Sequence, residues 1–567
     1  MKILRPLLII VLLVIIIGVI LIWWNQPARV DMADYVPADS LVYIEVNSLT
    51  DVTQAIQETD AWKAAADIAG FSNKPQSRFA LFAAKSGFGP VEGVISTRAQ
   101  MALAIVGVDT AEKEDSLRIK PEVAVVVETK TSQWRMKSSV KKNLMRLANF
   151  AYGSADCKER SADAEYVECV ETKGSRKLIG AIDGTAVIIG NSDKAVQGCL
   201  QVRRGQRPSL HTNQEFISTR TGMKGDAALA FGFVSQANSA KLFSWGAPLL
   251  LGKAPGDPQV EQMLSNSAAK ILRGVAWTSN RAGGKIEDRY QIALDDEVVK
   301  RLEPAFANSN VSPDYGKLLP DAFRSFTVYK TKDPQTAWFS LDSAVAMKLD
   351  AVSTMLFASL LRSSLTVYGI ENPKDFLAAL EAPLVTLRPV LGESSLLIAK
   401  IKDETQLRKA LAADLLKENK GQILNGTQTD PDKEKEFAAV ISEGDLVIGK
   451  SDNVAVYLAQ LRNHEMMKPD RVTELKLNNQ DSPTVLSFTS ERDSIVSVIV
   501  VLSSLRGQTL SDSQLEEIRK RLRTSDVSTT ESILNSTGIE RRSLSAFGQF
   551  GSLLSLAQAD SSATSIR

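Results

Sequence analysis

The longest apolar run in the chain comes first. Pro6 to Trp24 reads PLLIIVLLVIIIGVILIWW, nineteen residues without a charge. At 1.5 Å per residue a helix of that length is about 28 Å long, close to the hydrocarbon thickness of a bilayer. Lys2 and Arg5 precede the run, and the first charges beyond it are Arg29, Asp31 and Asp34. Basic residues favour the inner side, so the pattern predicts a short internal N-terminus and an external body. A cleaved signal peptide would have a shorter apolar core ending in a small-x-small site. Asn25-Gln26-Pro27-Ala28-Arg29 offers no such site. The expectation is a single-pass signal anchor: 1–5 cytoplasmic, 6–24 transmembrane, 25–36 a juxtamembrane linker, and the rest periplasmic or otherwise extracytoplasmic. The second most apolar run, Ile495 to Leu505, is too short to span and suits a buried helix.

Beyond residue 36 the pattern changes to short strands and amphipathic helices, and it repeats. Asp183-Gly184-Thr185-Ala186-Val187-Ile188-Ile189-Gly190-Asn191-Ser192-Asp193 is echoed by Glu443-Gly444-Asp445-Leu446-Val447-Ile448-Gly449-Lys450-Ser451-Asp452. In each copy a strand (Leu178 to Ile182; Phe437 to Ile441) meets an acidic-Gly turn, where glycine supplies the positive φ of a tight hairpin. A second strand ends at Gly190 or Gly449, and a Ser-Asp pair then offers capping oxygens to a helix, Lys194 to Arg203 or Asn453 to Arg462. The echo extends outward. Val123 to Thr129 matches Ser395 to Ile401 as a buried strand before a helix. Val42 to Asn47, before a helix near Val52–Ala69, is set on Ala337 to Asp342, before Val345–Leu361. The hairpin Gly274 to Ala293, turning at Gly283-Gly284, is set on Ser532 to Gly548, turning near Gly538. The predicted fold class is therefore α+β. After the transmembrane helix come two copies of a mixed α+β unit, 37–305 and 320–548, with largely antiparallel sheets carrying helices on one face. A linker, 306–319, contains Asn308-Ser309-Asn310-Val311-Ser312-Pro313, and a tail rich in Ser, Ala and Gln, 549–567, is expected to be loosely held.

Val36-Pro37-Ala38-Asp39-Ser40 runs into the first strand of the body. With the charge-flanked anchor before it, this opening resembles a family of bacterial membrane-anchored envelope proteins of unknown function. The outer region of that family opens with Leu/Val-Pro-Ala-Asp-Ser/Thr. The resemblance implies a bacterial, extracytoplasmic, membrane-tethered protein. It brings no catalytic residues to carry over.

Composition narrows the chemistry. Lys+Arg 67 against Asp+Glu 66 gives a net charge of +1, so no bulk positive field exists to hold nucleic acid. Two histidines, His211 and His464, and three cysteines, Cys157, Cys169 and Cys199, leave few ligands for a metal or haem. Cys157 and Cys169 flank a polar loop that a disulfide could close outside the cytoplasm, contributing about 3 kcal/mol in the chain-entropy picture. Cys199 shares an apolar helix face with Val196 and Leu200, and the second copy has Leu458 in its place, which marks a core position.

The catalytic motifs do not survive inspection. Ser138-Ser139-Val140-Lys141 and Ser451-Asp452-Asn453 match two elements of penicillin-recognising enzymes. They lie in different copies, no Lys-Thr-Gly follows, and the first copy has Ser192-Asp193-Lys194 where the second has Ser451-Asp452-Asn453. Gly246 to Lys253 has one residue too many between its glycines for a phosphate loop, and Ala254 where a magnesium-binding hydroxyl belongs. Asp430 to Glu436 lacks the glycine and spacing of a calcium loop. Arg519-Lys520-Arg521-Leu522-Arg523 follows Glu516-Glu517 and reads as an exposed, ion-paired helix face. No catalytic, cofactor-binding or metal-ligating residue is assigned, and no cofactor is expected.

The expected function is thus a non-enzymatic, membrane-anchored binding or scaffold protein of the cell envelope. Its partners would be the membrane, through Pro6–Trp24, and an envelope protein or lipid, with no nucleic acid. One alternative is a lipid or hydrophobic-ligand binder using the apolar helices Leu242–Leu251 and Ile495–Leu505. A cryptic envelope hydrolase comes third. Asp193 and Asp452 recur in both copies and are expected to cap their helices.

Overall fold

Runs that are apolar on both faces of a strand need cover on both sides, and the chain has several, such as Leu396–Ile401 and Lys177–Asp183. The computed structural model shows where that cover comes from. It describes residues 29–553 apart from 72–98, 114–115, 131–132, 251–257, 307–317, 350, 367, 369, 371, 391–393, 412–436, 443, 469, 471–483, 506–507 and 523–526. The first half runs β1 (Val42–Val46), α1 (Leu49–Glu58), α2 (Asp60–Ala65), β2 (Gln100–Lys113), β3 (Ser116–Glu128), α3 (Gln133–Tyr152), β4 (Ala155–Ser161), β5 (Glu165–Glu171), β6 (Lys177–Asp183), β7 (Ala186–Gly190), α4 (Asp193–Arg203), α5 (Gln214–Gly222), β8 (Ala230–Ser235), α6 (Gln236–Leu250), α7 (Pro258–Ile271), β9 (Leu272–Ala282) and β10 (Lys285–Leu294). After α8 (Asp296–Phe306) the second half runs β11 (Ser325–Tyr329), α9 (Pro334–Ala346), α10 (Ala351–Thr366), α11 (Pro373–Ala378), β12 (Leu380–Arg388), β13 (Leu396–Ile401), α12 (Glu404–Ala410), β14 (Phe437–Ser442), β15 (Asp445–Lys450), α13 (Ser451–Arg462), β16 (Val485–Ser490), α14 (Arg492–Leu505), α15 (Asp512–Arg521), β17 (Val527–Asn535) and β18 (Gly538–Ser545).

Every strand pairing is antiparallel. The first half lies in the order β4-β5-β6-β7-β3-β2-β1-β8-β9-β10. The second lies in the order β14-β15-β13-β12-β11-β16-β17-β18. Apart from the β4–β5 hairpin, the two orders are the same among the described residues. The acidic-Gly hairpins β6–β7 and β14–β15 turn at Gly184 and Gly444, with φ of 61° and 85°, a region that residues with a Cβ rarely enter. An isolated bridge from Pro37 to Ser209 in the first half has its counterpart from Pro320 to Met466 in the second.

The halves do not form separate sheets. β10 pairs with β18 from Ile286↔Ser545 to Ala293↔Gly538, giving one sheet of 18 strands. Arg289 lies four residues into β10 and Arg542 four residues into β18, and the two are directly paired. Equivalent residues meet at the centre of the joint, as at the two-fold axis of an isologous dimer. Arg289 and Arg542 both bind Glu287, Arg542 from Nη2 at 2.6 Å. Helices cross the joint as well. Ile495, Val496, Val498 and Ile499 of α14 pack with Ala61, Trp62 and Ala65 of α2 and with Ile518 of α15. On the other side Leu294, Val298, Val299 and Leu302 of β10 and α8 pack with Ala344 of α9.

Both sheet faces are covered. One face of the first half places Tyr43, Ala102, Ala124, Ile188 and Phe231 under α4 and α5, and the other meets α1 and α3. In the second half Phe326, Val328, Leu387 and Ile398 lie under Val454, Tyr457 and Leu458 of α13, while Leu397, Ala399 and Ile448 meet α11 and α12. Each such fully buried aromatic or aliphatic side chain contributes about 1.5–3 kcal/mol of transfer free energy.

Several expectations are corrected here. In place of two α+β units with helices on one face, the fold is one continuous antiparallel sheet with helices on both. The transmembrane anchor expected over Pro6–Trp24 is not shown by the structure. Residues 6–24 lie outside the described residues, and among the described residues no helix is long and apolar enough to cross a membrane. The longest of them, α3, carries Arg135, Lys137, Lys141, Lys142 and Arg146. Ala337 to Asp342, expected as a strand, lies in α9. Asp333 caps that helix by accepting from Thr336 N, and Pro334 sits at its first turn, where its fixed φ suits a helix start. The strand matching β1 is β11, twelve residues earlier in register. The helix expected over Val52–Ala69 breaks at Thr59, which ends α1 and caps α2.

Candidate functional site

β1 reads Val-Tyr-Ile-Glu-Val, and period-two alternation sends Tyr43 and Glu45 to the same face. Because β1 is paired on both sides, by β2 and β8, that face is interior, and Glu45 is 0% exposed. A carboxylate so placed needs a counter-charge from another element. Arg220, on α5, supplies it: its Nη2 lies 2.9 Å from Glu45 Oε1. The helix is aimed by its cap, Asn213, which accepts from Phe216 N at 3.2 Å. The Arg220 guanidinium also stacks over the Phe216 ring, which packs edge-on against Tyr43 and Phe233.

Three further residues close the cluster. Arg220 Nη1 donates to Asp31 Oδ1 at 2.9 Å and Oδ2 at 2.8 Å. Asp31 also caps the 3-10 turn Met32–Tyr35 by accepting from Ala33 N. His211 Nδ1 is 2.8 Å from Asp31 Oδ2, and Arg220 Nε is 3.0 Å from Asp226 Oδ1. Tyr43 donates its hydroxyl to Glu45 Oε2 at 2.8 Å.

The electrostatics follow from this geometry. Burial raises the Glu45 carboxyl to about 7, although Arg220 and the Tyr43 hydroxyl pull it down. Burial also raises Asp31, but the Ala33 amide and Arg220 outweigh it and hold that carboxyl below its ordinary range. Burial and the neighbouring Glu45 push the Tyr43 hydroxyl well above its usual value. Arg220 stays a cation, because Glu45 and Asp31 outweigh its desolvation.

The second half has nothing like this on the matching strand. Counting from the bridging prolines, Tyr43 and Glu45 are six and eight residues after Pro37, as Phe326 and Val328 are after Pro320. Both are buried and apolar, and Phe326 stacks on Phe488 at 4.7 Å.

A second polar group lies at the far end of the same 3-10 turn. Tyr35 donates to Glu128 at 3.0 Å, Arg203 lies over the Tyr35 ring, and Arg203 pairs with Asp183 at 2.8 Å. Asp39 of the Val-Pro-Ala-Asp-Ser opening binds Arg207 through both oxygens at 2.6 Å. Its role in this fold is to fasten the chain entry to the end of α4.

The residues singled out by sequence fall as follows. Cys157 and Cys169 face each other across β4 and β5 and form a disulfide. Cys199 is buried and free, its thiol pushed up to about 12 by burial. His211 joins the cluster above, whereas His464 sits in a turn beyond α13 with φ 55°. Among the described residues no group of three or more His, Cys, Asp and Glu could hold a metal. Ser138 and Lys141 lie on α3, with Lys141 paired to Glu159 at 2.5 Å. Ser451-Asp452-Asn453 opens α13, and Asn453 donates to Ser394. The structure does not bring these two motifs together. Gly246–Leu250 end α6 and 251–253 lie outside the described residues, as does Asp430–Glu436. Arg519 and Arg521 pair with Glu516 and Glu517, and Arg521 also with Asp67.

The cap assignment is corrected. Ser192, not Asp193, caps α4 by accepting from Ala195 N, while Asp193 pairs with Lys177. Asp452 is likewise in the first turn of α13, whose cap position is Lys450 without a side-chain bond. The Glu45–Arg220 cluster was missed. Its one visible signal is a glutamate at an inward position of an apolar strand.

Comparison with family models, curated proteins and solved structures finds no match to this chain.

Proposed function

We propose that the chain is a binding or scaffold protein that works outside the cytoplasm, without catalysis. The observation that carries this reading is how the chain treats its buried, perturbed carboxyls. Glu45, the carboxyl raised to about 7, is sealed under the 3-10 turn, where its Oε2 accepts from Arg220 and Tyr43 and the Arg220 guanidinium lies 2.9 Å from its Oε1. A general acid or base must reach a substrate, and this one touches only its own fold. Asp288 follows the same rule. It is buried, raised by that burial, and bound by Trp277 Nε1 and Gln549 N, both at 2.9 Å. The Cys157–Cys169 disulfide supports an oxidising compartment. The resemblance of Val36-Pro37-Ala38-Asp39-Ser40 to the opening of envelope proteins points the same way. A sheet of 18 strands with both faces covered offers a long, stiff platform for partners, built from two halves of like topology.

Two measurements on the full-length protein from its own cells test this. A fluorophosphonate probe should leave it unlabelled, whereas labelling at Ser138 or Ser451 would make the hydrolase reading correct. Thiol counting after denaturation without reductant should find one reactive thiol, Cys199. Three would contradict the extracytoplasmic placement.

A further inference from the structure

The cluster at Glu45 fastens a particular piece of chain. Residues 29–36 enter the body as a short strap: Met32, Ala33 and Val36 are fully buried, and Val30 exchanges two bonds with the Gln100 side chain. The strap's one charged anchor at the cluster is Asp31, and Asp31 is held by Arg220, the same guanidinium that neutralises Glu45.

We propose that residues 29–36 are a proton-sensitive clamp on the first half, tightened when the Glu45–Arg220–Asp31 cluster takes up a proton and loosened when it gives the proton back. The inference goes beyond the binding reading and stands or falls independently of it.

The charge balance around Arg220 supports this. The 3-10 turn contributes Asp31 and Asp34, β1 contributes Glu45 and Tyr43, the turn Gly225–Ala227 contributes Asp226, and Leu210–Thr212 contributes His211. The neighbouring strands β2 and β8 add Ala102, Ala104, Phe231 and Phe233. At the far end, Tyr35 meets Glu128 of β3 and Arg203 of α4, a pair that balances itself. One guanidinium faces four carboxyl groups. A proton on Glu45 removes the surplus charge that is hardest to solvate, and leaves Arg220 free to serve Asp31.

The direction follows by linkage. The Glu45 carboxyl sits at about 7 when the strap is closed, against an ordinary value of 4.5. A group raised in the closed state stabilises that state fully below its ordinary value, and the contribution is lost as pH rises through the raised one. Between pH 6 and 8 the opening equilibrium should therefore grow about tenfold.

Hydrogen exchange on the full-length protein, corrected for intrinsic rates, reads this directly. Amides of 29–36 should open about tenfold more at pH 8 than at pH 6, and those of 318–324, around the bridging Pro320 of the second half, should not change. Glu45→Gln should abolish the difference, and Glu45→Val, which copies the second half, provides a second test should the amide variant not fold. His211→Asn should retain it. Equal opening of the unmodified protein at the two pH values would overturn the proposal, as would a difference that survives Glu45→Gln or vanishes with His211→Asn.

Discussion

The two halves of the sheet put different chemistry at the same place. On β1, Tyr43 and Glu45 face inward; on β11, Phe326 and Val328 do. The strand order around them is the same, and a proline bridge enters both halves eight residues before the second of these positions. The apolar version completes itself by packing on Phe488 and Leu387. The polar version needs four more residues, Asp31, His211, Arg220 and Asp226, drawn from segments separated by up to 195 residues in the chain. One backbone thus accommodates either a closed core or an ionic cluster. Only the cluster makes the local fold depend on distant charges, because desolvation of a buried ion can exceed its Coulombic gain.

The sharpest way to break the comparison is to remove the cation. Arg220→Leu leaves Glu45 and Asp31 buried without a counter-charge and should cost about 3–5 kcal/mol in denaturant unfolding. A loss under 1 kcal/mol would mean that water already screens the cluster. Next in size is the β4–β5 hairpin of the first half. Replacing Cys157 and Cys169 with serine should cost about 3 kcal/mol, from the loop-closure entropy of a twelve-residue separation. No change in melting temperature would show that β4–β5 folds independently of the sheet.

The third prediction concerns pH. Glu45 is raised to about 7, so its contribution to stability is complete below pH 4.5 and disappears as pH rises through 7. Glu45→Gln should flatten that part of the stability profile, which amounts to on the order of 2–3 kcal/mol. A profile of the same slope in the variant would assign the titration elsewhere. Smallest is the helix cap. Ser192→Ala should cost about 1 kcal/mol, while Asp193→Asn removes only an exposed pair with Lys177 and should cost under about 0.5 kcal/mol. The reverse order would restore the cap to Asp193.

Much of the sheet was legible because its signals are local. Gly184 and Gly444, set between apolar runs, mark hairpins that depend on φ at one residue, and Gly283-Gly284 marks another. The continuous sheet was not legible. Nothing in β10 or β18 differs from any other strand until Arg289 is seen opposite Arg542, and that pairing joins residues 253 apart. The error at Ala337–Asp342 has a local cause. WFSL is apolar enough for a strand, but the Asp333-Pro334 start just before it makes it a helix. Asp193 recurs in both copies, but the hydroxyl one residue earlier has the capping geometry. The polar cluster stayed hidden because Arg220 lies on a helix with little amphipathic pattern, and its partner at Glu45 is 175 residues away.

A double-mutant cycle tests the central claim most directly. Arg220→Leu, Glu45→Val and the combination are unfolded by denaturant at pH 8, where Glu45 is ionised. If the first half differs from the second by a buried cluster in which Arg220 offsets Glu45, Glu45→Val should restore part of what Arg220→Leu loses, with a coupling of about 2 kcal/mol or more. Losses that add to within about 0.5 kcal/mol would show that the two residues do not compensate each other, and would contradict the account.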